Sequence, residues 1–168
     1  MNDLSKEKTM IINISGYDVL IDNKDYDKIK LKKWKVRIKD GYPIVVSSYY
    51  DKKKRNSNYI NMARYLMDVN DSKIDVDHKN HNTLDYCKSN LRKCTHQENT
   101  FNQIIRSNNT SGFKGVSYDL RRKKYRAYIM FNAKQIWLGY YKNKKKAALK
   151  YNKKAIELFG EFAFLNKI

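Results

Sequence analysis

Asp77 and His78 stand side by side, Asn90 comes twelve positions after the histidine, and a polar group, Thr95-His96-Gln97-Glu98-Asn99, follows. These residue types suit hydrolysis of a phosphodiester. A water must lose a proton, and charge on the phosphate and the departing oxygen must be stabilised, a task a divalent metal performs well. An imidazole accepts a proton near neutrality, which gives His78 the role of general base. Asp77 supplies the anionic oxygen that Mg²⁺ prefers. Neighbouring residues at a strand end point in different directions, so one of the pair can face the metal and the other the water. Asn90 can hold the imidazole through its side-chain oxygen, and Asn99 can bring a neutral oxygen to the metal. His96 admits two readings, a metal ligand or an ordinary residue of a helix's first turn. Taken singly these residues are unremarkable surface groups; the ordered set carries the signal.

The elements around them must position that set. Met10–Ile14 and Tyr17–Ile21 read as a hairpin closed by Ser15-Gly16. Asp22 is an expected N-cap for a short helix through Tyr26 and Ile29. Trp34–Ile38 and Tyr42–Ser47 form a second expected hairpin around Lys39-Asp40-Gly41, with Pro43 at an edge position. Residues 51–57 read as a solvated charged loop. Met62, Tyr65, Leu66 and Val69 have helical spacing, which predicts a core helix over 59–69. Ile74–His78 alternates and reads as the strand that delivers Asp77-His78. Residues 79–88 are polar and aperiodic, a loop, and Leu91–Cys94 is a short strand. Thr95 and Glu98 have the spacing of a capping box at the start of a helix.

Beyond a Ser/Asn/Gly-rich segment, 104–112, expected to be a linker, the composition changes. Gly112–Ile168 holds 15 Lys and Arg against 3 Asp and Glu, so most of the formal net charge of +19 lies in the last third. Strands are expected over Phe113–Asp119, Lys124–Phe131 and Lys134–Tyr141, then a helix over Lys144–Phe159 that Gly160 ends. Strand parity turns Tyr125, Ala127, Ile129 and Phe131 toward the helix, together with Ile136, Leu138 and Tyr140. It leaves Lys124, Arg126, Tyr128, Met130, Gln135 and Trp137 outward. An outward tryptophan beside Gln and Arg is costly unless a partner covers it. Gln can read adenine, while Arg and Lys serve phosphates or guanine. The helix lysines read as a solvated face.

A chain this basic points to a polyanion, because each neutralised phosphate releases condensed counterions. With 41% hydrophobic residues there is enough apolar material for a core, so general disorder is excluded. Met1–Lys6 is followed by no apolar run, and no apolar stretch approaches the roughly 20 residues of a membrane span, so neither secretion nor a membrane partner is expected. Cys87 and Cys94 form no CxxC pair, so two plain thiols and no structural zinc are expected.

The series Asp77-His78, Ser89-Asn90-Leu91-Arg92 and Thr95-His96-Gln97-Glu98-Asn99, with Asn102, resembles the HNH endonucleases, in particular the phage and intron-encoded homing type. The resemblance implies a ββα-metal core around one divalent ion, Mg²⁺ first and Mn²⁺ as the alternative. It makes Asp77 a metal ligand, His78 the general base and Asn90 its orienting partner, with Asn99 the preferred second ligand ahead of His96. The family's usual histidine earlier in the chain is replaced here by Ala63. The segment Ser111–Asn166 resembles the AP2 DNA-binding domain through Gly115-Val116, Tyr125–Ile129, Trp137-Leu138-Gly139-Tyr140 and Ala163–Asn166. Such domains lay a three-stranded sheet into the major groove. Lys114, Arg122, Lys124, Arg126, Tyr128, Gln135 and Trp137 are the expected DNA contacts, whereas plant members carry several arginines on this surface.

The expected fold class is therefore α+β: a β-rich N-terminal scaffold and HNH core over 1–103, a linker over 104–112, and an AP2-like three-stranded antiparallel sheet packed on one helix over 113–168. The expected function is a site-recognising DNA endonuclease that nicks one strand as a monomer. It would act on double-stranded DNA in the cytoplasm of a bacterium or phage-infected cell, with no obligate protein partner. The alternative is a DNA-binding regulator that keeps the nuclease shell without catalysis.

Overall fold

The computed structural model describes residues 8–53, 55–105 and 108–168. Met1–Lys6, read above for a signal segment, lies outside the described residues, as do Lys54 of the expected charged loop and Arg106-Ser107 of the expected linker. The chain is mixed α+β, and its contacts divide it into two units, one ending at His96 and the other running from Gln97 to Ile168.

In the first unit β1 (Thr9–Ile14) and β2 (Tyr17–Asp22) form an antiparallel hairpin. Ser15 and Gly16 both take positive φ, 54° and 83°, the two-residue turn that matches the twist of a hairpin. A single 3₁₀ turn and the short α1 (Tyr26–Ile29) follow. The expected capping by Asp22 is not made: its carboxylate accepts instead from the backbone N–H of Lys88 at 2.8 Å. Asp22 therefore ties the N-terminal hairpin to a loop 66 residues later. The Lys88 ammonium reaches Asp25 at 2.7 Å in the same place.

β3 (Lys35–Lys39), β4 (Tyr42–Asp51) and β5 (Asn56–Asn61) make a three-stranded antiparallel sheet in that order. Asp51, Asn56 and Ser57 of the charged loop expected over 51–57 are paired as strand, and the helix expected over 59–69 begins only at Met62. Tyr59–Asn61 pairs with Val46–Ser48 as strand. The Asn61 side chain accepts from the Ala63 N–H at 2.8 Å and starts α2 (Met62–Leu66), as an N-cap amide does. β6 (Ile74–His78) and β7 (Leu91–Thr95) form a two-stranded antiparallel ribbon that runs directly into α3 (His96–Phe101).

One core serves these elements: Ile14, Val19, Ile21, Val45, Met62, Leu66, Tyr86 and Leu91 are buried together. Tyr86, fully buried, comes from the 79–90 loop, and its hydroxyl accepts the Val45 N–H at 2.9 Å. The loop is also stitched to β2, since Leu20 N–H donates to the Leu84 carbonyl and Tyr86 N–H to the Leu20 carbonyl. Tyr86→Phe is expected to cost about 1–3 kcal/mol in urea unfolding, because the Val45 N–H is then buried without an acceptor. Cys87 and Cys94 are free and buried. Burial, and Asp85 beside it, push the Cys87 thiol up to about 12.

In the second unit β8 (Val116–Asp119), β9 (Lys124–Phe131) and β10 (Lys134–Tyr141) form an antiparallel sheet with β9 central, and α4 (Lys144–Phe159) packs on it. Ala147, Ala148, Tyr151, Ala155 and Phe159 make the buried stripe of α4, the i, i+4 recurrence of an amphipathic helix. The small residues let the sheet approach closely. Gly115 sits under this contact with φ +71°, where a Cβ would overlap the Tyr151 ring and the Tyr128 carbonyl. The tail returns to close the unit, its Asn166 amide bonding both the N–H and the carbonyl of Lys114.

Candidate functional site

The β6–β7 register places Asp77 opposite Arg92 and His78 opposite Leu91. Residues opposite one another in a ribbon share a face, and successive residues alternate. Asp77 and Arg92 therefore lie on one face, while His78 lies on the other with Val76 and Leu91, the face that meets the core. The imidazole stands edge-on against the Tyr86 ring, centroids 5.2 Å apart. Burial holds the His78 proton affinity below the ordinary histidine value, against the pull of the Asp77 and Asp85 carboxylates. A neutral ring at pH 7 is the form a general base needs.

The HNH resemblance assigns Arg92 no role. Its Nε and Nη2 both donate to Asp77 Oδ2, at 2.9 and 2.7 Å, and the two side chains are only 9% and 10% exposed. A charge pair this dry is held for geometry, since desolvation offsets much of its attraction. Here it fixes the plane of the Asp77 carboxylate.

Asn90 does something other than what its spacing suggested. Its side-chain oxygen accepts from the Asn80 N–H at 3.0 Å, and its Nδ2 donates to the Asp85 carbonyl at 2.9 Å. Its own carbonyl accepts from Lys79. The expectation that Asn90 orients the imidazole is corrected: the buried amide is turned onto the backbone of the loop and closes it. Asn80 in turn donates to Asp85 Oδ2 at 2.8 Å. The loop that carries Tyr86 to His78 is thus internally bonded, and Asn90 acts on the histidine only through it. Tyr86, Asp85 and Asn80 are the residues missed from sequence. An aromatic among polar loop residues was the available signal.

His96, the first residue of α3, is 88% exposed at its side chain and meets Asp75 rather than Asp77, Nδ1 to Oδ2 at 3.1 Å. Among the described residues no group of three or more His, Cys, Asp or Glu side chains is placed to hold a metal. Asn99 lies three residues further along α3, in the second unit.

On the second unit the outward face of the sheet carries Lys124, Arg126, Tyr128, Met130, Gln135 and Trp137, with Trp137 46% exposed. Arg126 donates to the Ser117 hydroxyl and lies over the Tyr128 ring at 5.9 Å. The register shifts between Trp137 and Gly139, so Leu138 is an extra residue in β10. A bulge of this kind reverses the parity beyond it. Tyr140, expected inward, therefore pairs with Arg126 and joins the outward face. Its ring meets Trp137 at 4.6 Å, Arg122 lies over it at 4.9 Å, and its hydroxyl donates to Asp119 Oδ2. Gly139, at φ +113°, supplies the backbone freedom the bulge requires.

Lys114 is a second correction. It was expected to touch DNA, but its Nζ donates to the carbonyls of Phe101 and Gln103 at 2.9 and 2.6 Å, and it sits over the Phe164 ring. Burial lowers its pKa to about 8, while the two carbonyls at the end of α3 favour the charged form. Lys114→Met is expected to lower stability by about 1.5–3 kcal/mol, the value of hydrogen bonds to a charged group. The salt dependence of DNA binding should be unaltered, which a titration at several salt concentrations reads directly.

No protein-family model matches the chain, and no solved structure matches it. Among curated proteins it is 35% identical over 130 residues to an uncharacterised HNH endonuclease of Acanthamoeba polyphaga mimivirus, the match covering 77% of this chain. Among the described residues no helix is long and apolar enough to cross a membrane. The chain spans 65% of the length of the curated relative it matches.

Proposed function

We propose that the chain is a site-recognising DNA endonuclease of the HNH type in two parts, a nuclease centre built on the β6–β7 ribbon and a DNA-holding module over 113–168. The observation that carries the reading is the half-buried His78, its ring edge-on to Tyr86 and its proton affinity lowered by burial, at the end of a ribbon that leads directly into α3. His78 takes the proton of the attacking water. Tyr86 and the Asn90-closed loop hold the ring, and Arg92 holds Asp77. The Asp77 carboxylate supplies the anionic oxygen that a hard cation, Mg²⁺ or Mn²⁺, would take. When bound, such an ion supplies charge stabilisation at the phosphate and the departing oxygen.

The outward face of the second sheet binds duplex DNA, with Trp137, Tyr140 and Arg126 as a packed platform and Gln135, Arg122 and Lys124 around it. One such centre per chain nicks one strand as a monomer, in the cytoplasm of a bacterium or phage-infected cell. Trp137→Ala is expected to weaken duplex binding by about ten-fold or more, as loss of a central aromatic at an interface does, with unchanged thermal unfolding. An unaltered affinity would place the DNA on another face. The cleavage reading itself is tested by relaxation of a supercoiled plasmid in Mg²⁺, in Mn²⁺ and with chelator.

A further inference from the structure

The β3–β4–β5 sheet of the first unit has two unlike faces. Lys35 is opposite Val46, Arg37 opposite Ile44 and Lys39 opposite Tyr42; on the other side of β4, Ser48 is opposite Tyr59 and Tyr50 opposite Ser57. Opposed residues share a face, so Lys35, Arg37, Lys39, Tyr42, Tyr50 and Tyr59 all project from one side. Val36 and Val45 project from the other, into the core. The six are exposed, Tyr50 at 61%. No acid shares their face. Asp51 belongs to the core-side register and caps the Lys53 N–H, and Asp40 lies in the β3–β4 turn. Among the described residues none of the three cations is paired with a carboxylate, and the Arg37 guanidinium lies 5.0 Å over the Tyr59 ring. Alternate strand residues are about 7 Å apart, so β3 presents a row of three positively charged side chains on one face. Tyrosine hydroxyls stand on the strand alongside, and the β4–β5 turn adds Lys52, Lys53 and Arg55.

We propose that this face is a second nucleic-acid surface, which grips the sugar–phosphate backbone of duplex DNA independently of the β8–β10 sheet. Cations and tyrosine hydroxyls are the groups that contact phosphate oxygens. A protein partner is the weaker fit, because such an interface needs an apolar centre and the aliphatic residues on this face, Ile44 and Val46, are half-buried and buried. A second copy of the same face would set like charges against each other. The inference rests on the nuclease reading only for the choice of DNA as the polyanion.

The test uses the full chain with chelator present, so that binding is read without cleavage. Fluorescence anisotropy on a mixed-sequence duplex is measured across a salt series for wild type and for Lys35→Ala/Arg37→Ala/Lys39→Ala. Lys145→Ala/Lys146→Ala/Lys150→Ala on α4 is the control, with the same loss of charge elsewhere. The sheet variant should flatten the slope of log affinity against log salt by about 2–3, close to one per lost phosphate contact, and the helix variant by less than about one. Lys35→Arg/Lys39→Arg should keep the wild-type slope, and all variants should melt as wild type does. Equal slopes for the two triple variants overturn the proposal, as does a loss seen on single-stranded RNA or an acidic peptide but absent on duplex DNA. Plasmid cleavage by wild type in Mg²⁺ is scored separately. A chain that does not cut but shows the slope change sinks the nuclease reading and leaves this face standing; a chain that cuts with equal slopes sinks the face alone.

Discussion

Replacement of His78 by alanine is expected to lower the cleavage rate by about 10²–10⁴-fold, the contribution of a positioned general base, while leaving duplex affinity within two-fold. The ring is half-buried against Tyr86 and contributes no charge at neutral pH, so little of its effect should reach binding or folding. The pH dependence gives a second reading of the same group. Burial lowers its proton affinity below that of an ordinary histidine, so the basic form persists to lower pH. The acid limb of kcat/KM should therefore fall below about pH 6.5, the unperturbed histidine value. Stability should follow the same direction. The unfolded chain binds this proton at a higher pH than the folded one, so the folded state loses ground as pH drops below the unfolded value. An acid limb above 6.5 would assign the base to another group.

Arg92→Met should be the most destabilising of the substitutions at the site. It removes the guanidinium that holds Asp77 Oδ2 through two short bonds and leaves a nine-tenths buried carboxylate without that charge. Breaking one side of a buried pair costs about 3–5 kcal/mol, read as a lower urea midpoint at unchanged slope. The double variant Asp77→Leu/Arg92→Met should recover most of that loss, since a well-packed apolar pair often replaces a buried ion pair at little cost. It should not cleave, because the carboxylate is gone. A loss below about 1 kcal/mol for the single variant would mean that the pair is solvated in solution and does not fix Asp77.

What the sequence disclosed, and what it did not, follows physical lines. Strands with strict alternation were legible: β9 keeps its parity from Lys124 to Phe131, and Trp137 lies outward as its position required. The α4 stripe and its stop at Gly160 were equally readable, because helix period and glycine both act locally. β5 was not, since Asn56-Ser57-Asn58 has the composition of a loop and the strand exists only through its pairing with β4. The bulge at Leu138 moved Tyr140 to the other face, and nothing in the local pattern except Gly139 marks it.

At the candidate site the sequence placed the residues on their elements but not the directions of their side chains. Asp77 and His78 are where a strand end should deliver them. The Asn90 amide has the donors and acceptor for either the imidazole or the loop, and only the fold shows that the backbone of Asn80 and Asp85 takes both. Lys114 is illegible for a related reason: a cation in sequence suggests solvent or a polyanion, whereas here it is spent on the carbonyls of Phe101 and Gln103. Asp22 does accept from a backbone N–H, as a capping residue should, but from Lys88 in place of its own helix. The Lys35-Arg37-Lys39 alternation passes in sequence for an ordinary strand, and it gains a meaning only with the fold, where Val36 and Val45 fill the other side.

The most direct measurement is relaxation of a supercoiled plasmid by the purified chain, with Mg²⁺ and with excess chelator, for wild type and His78→Ala in parallel. Conversion to the nicked circle by wild type in Mg²⁺, abolished by chelator and reduced at least about a hundred-fold in His78→Ala, is the expected result. Nicking by His78→Ala at the wild-type rate, or plasmid left supercoiled by wild type across divalent metals while duplex binding persists, would contradict a nuclease centred on His78.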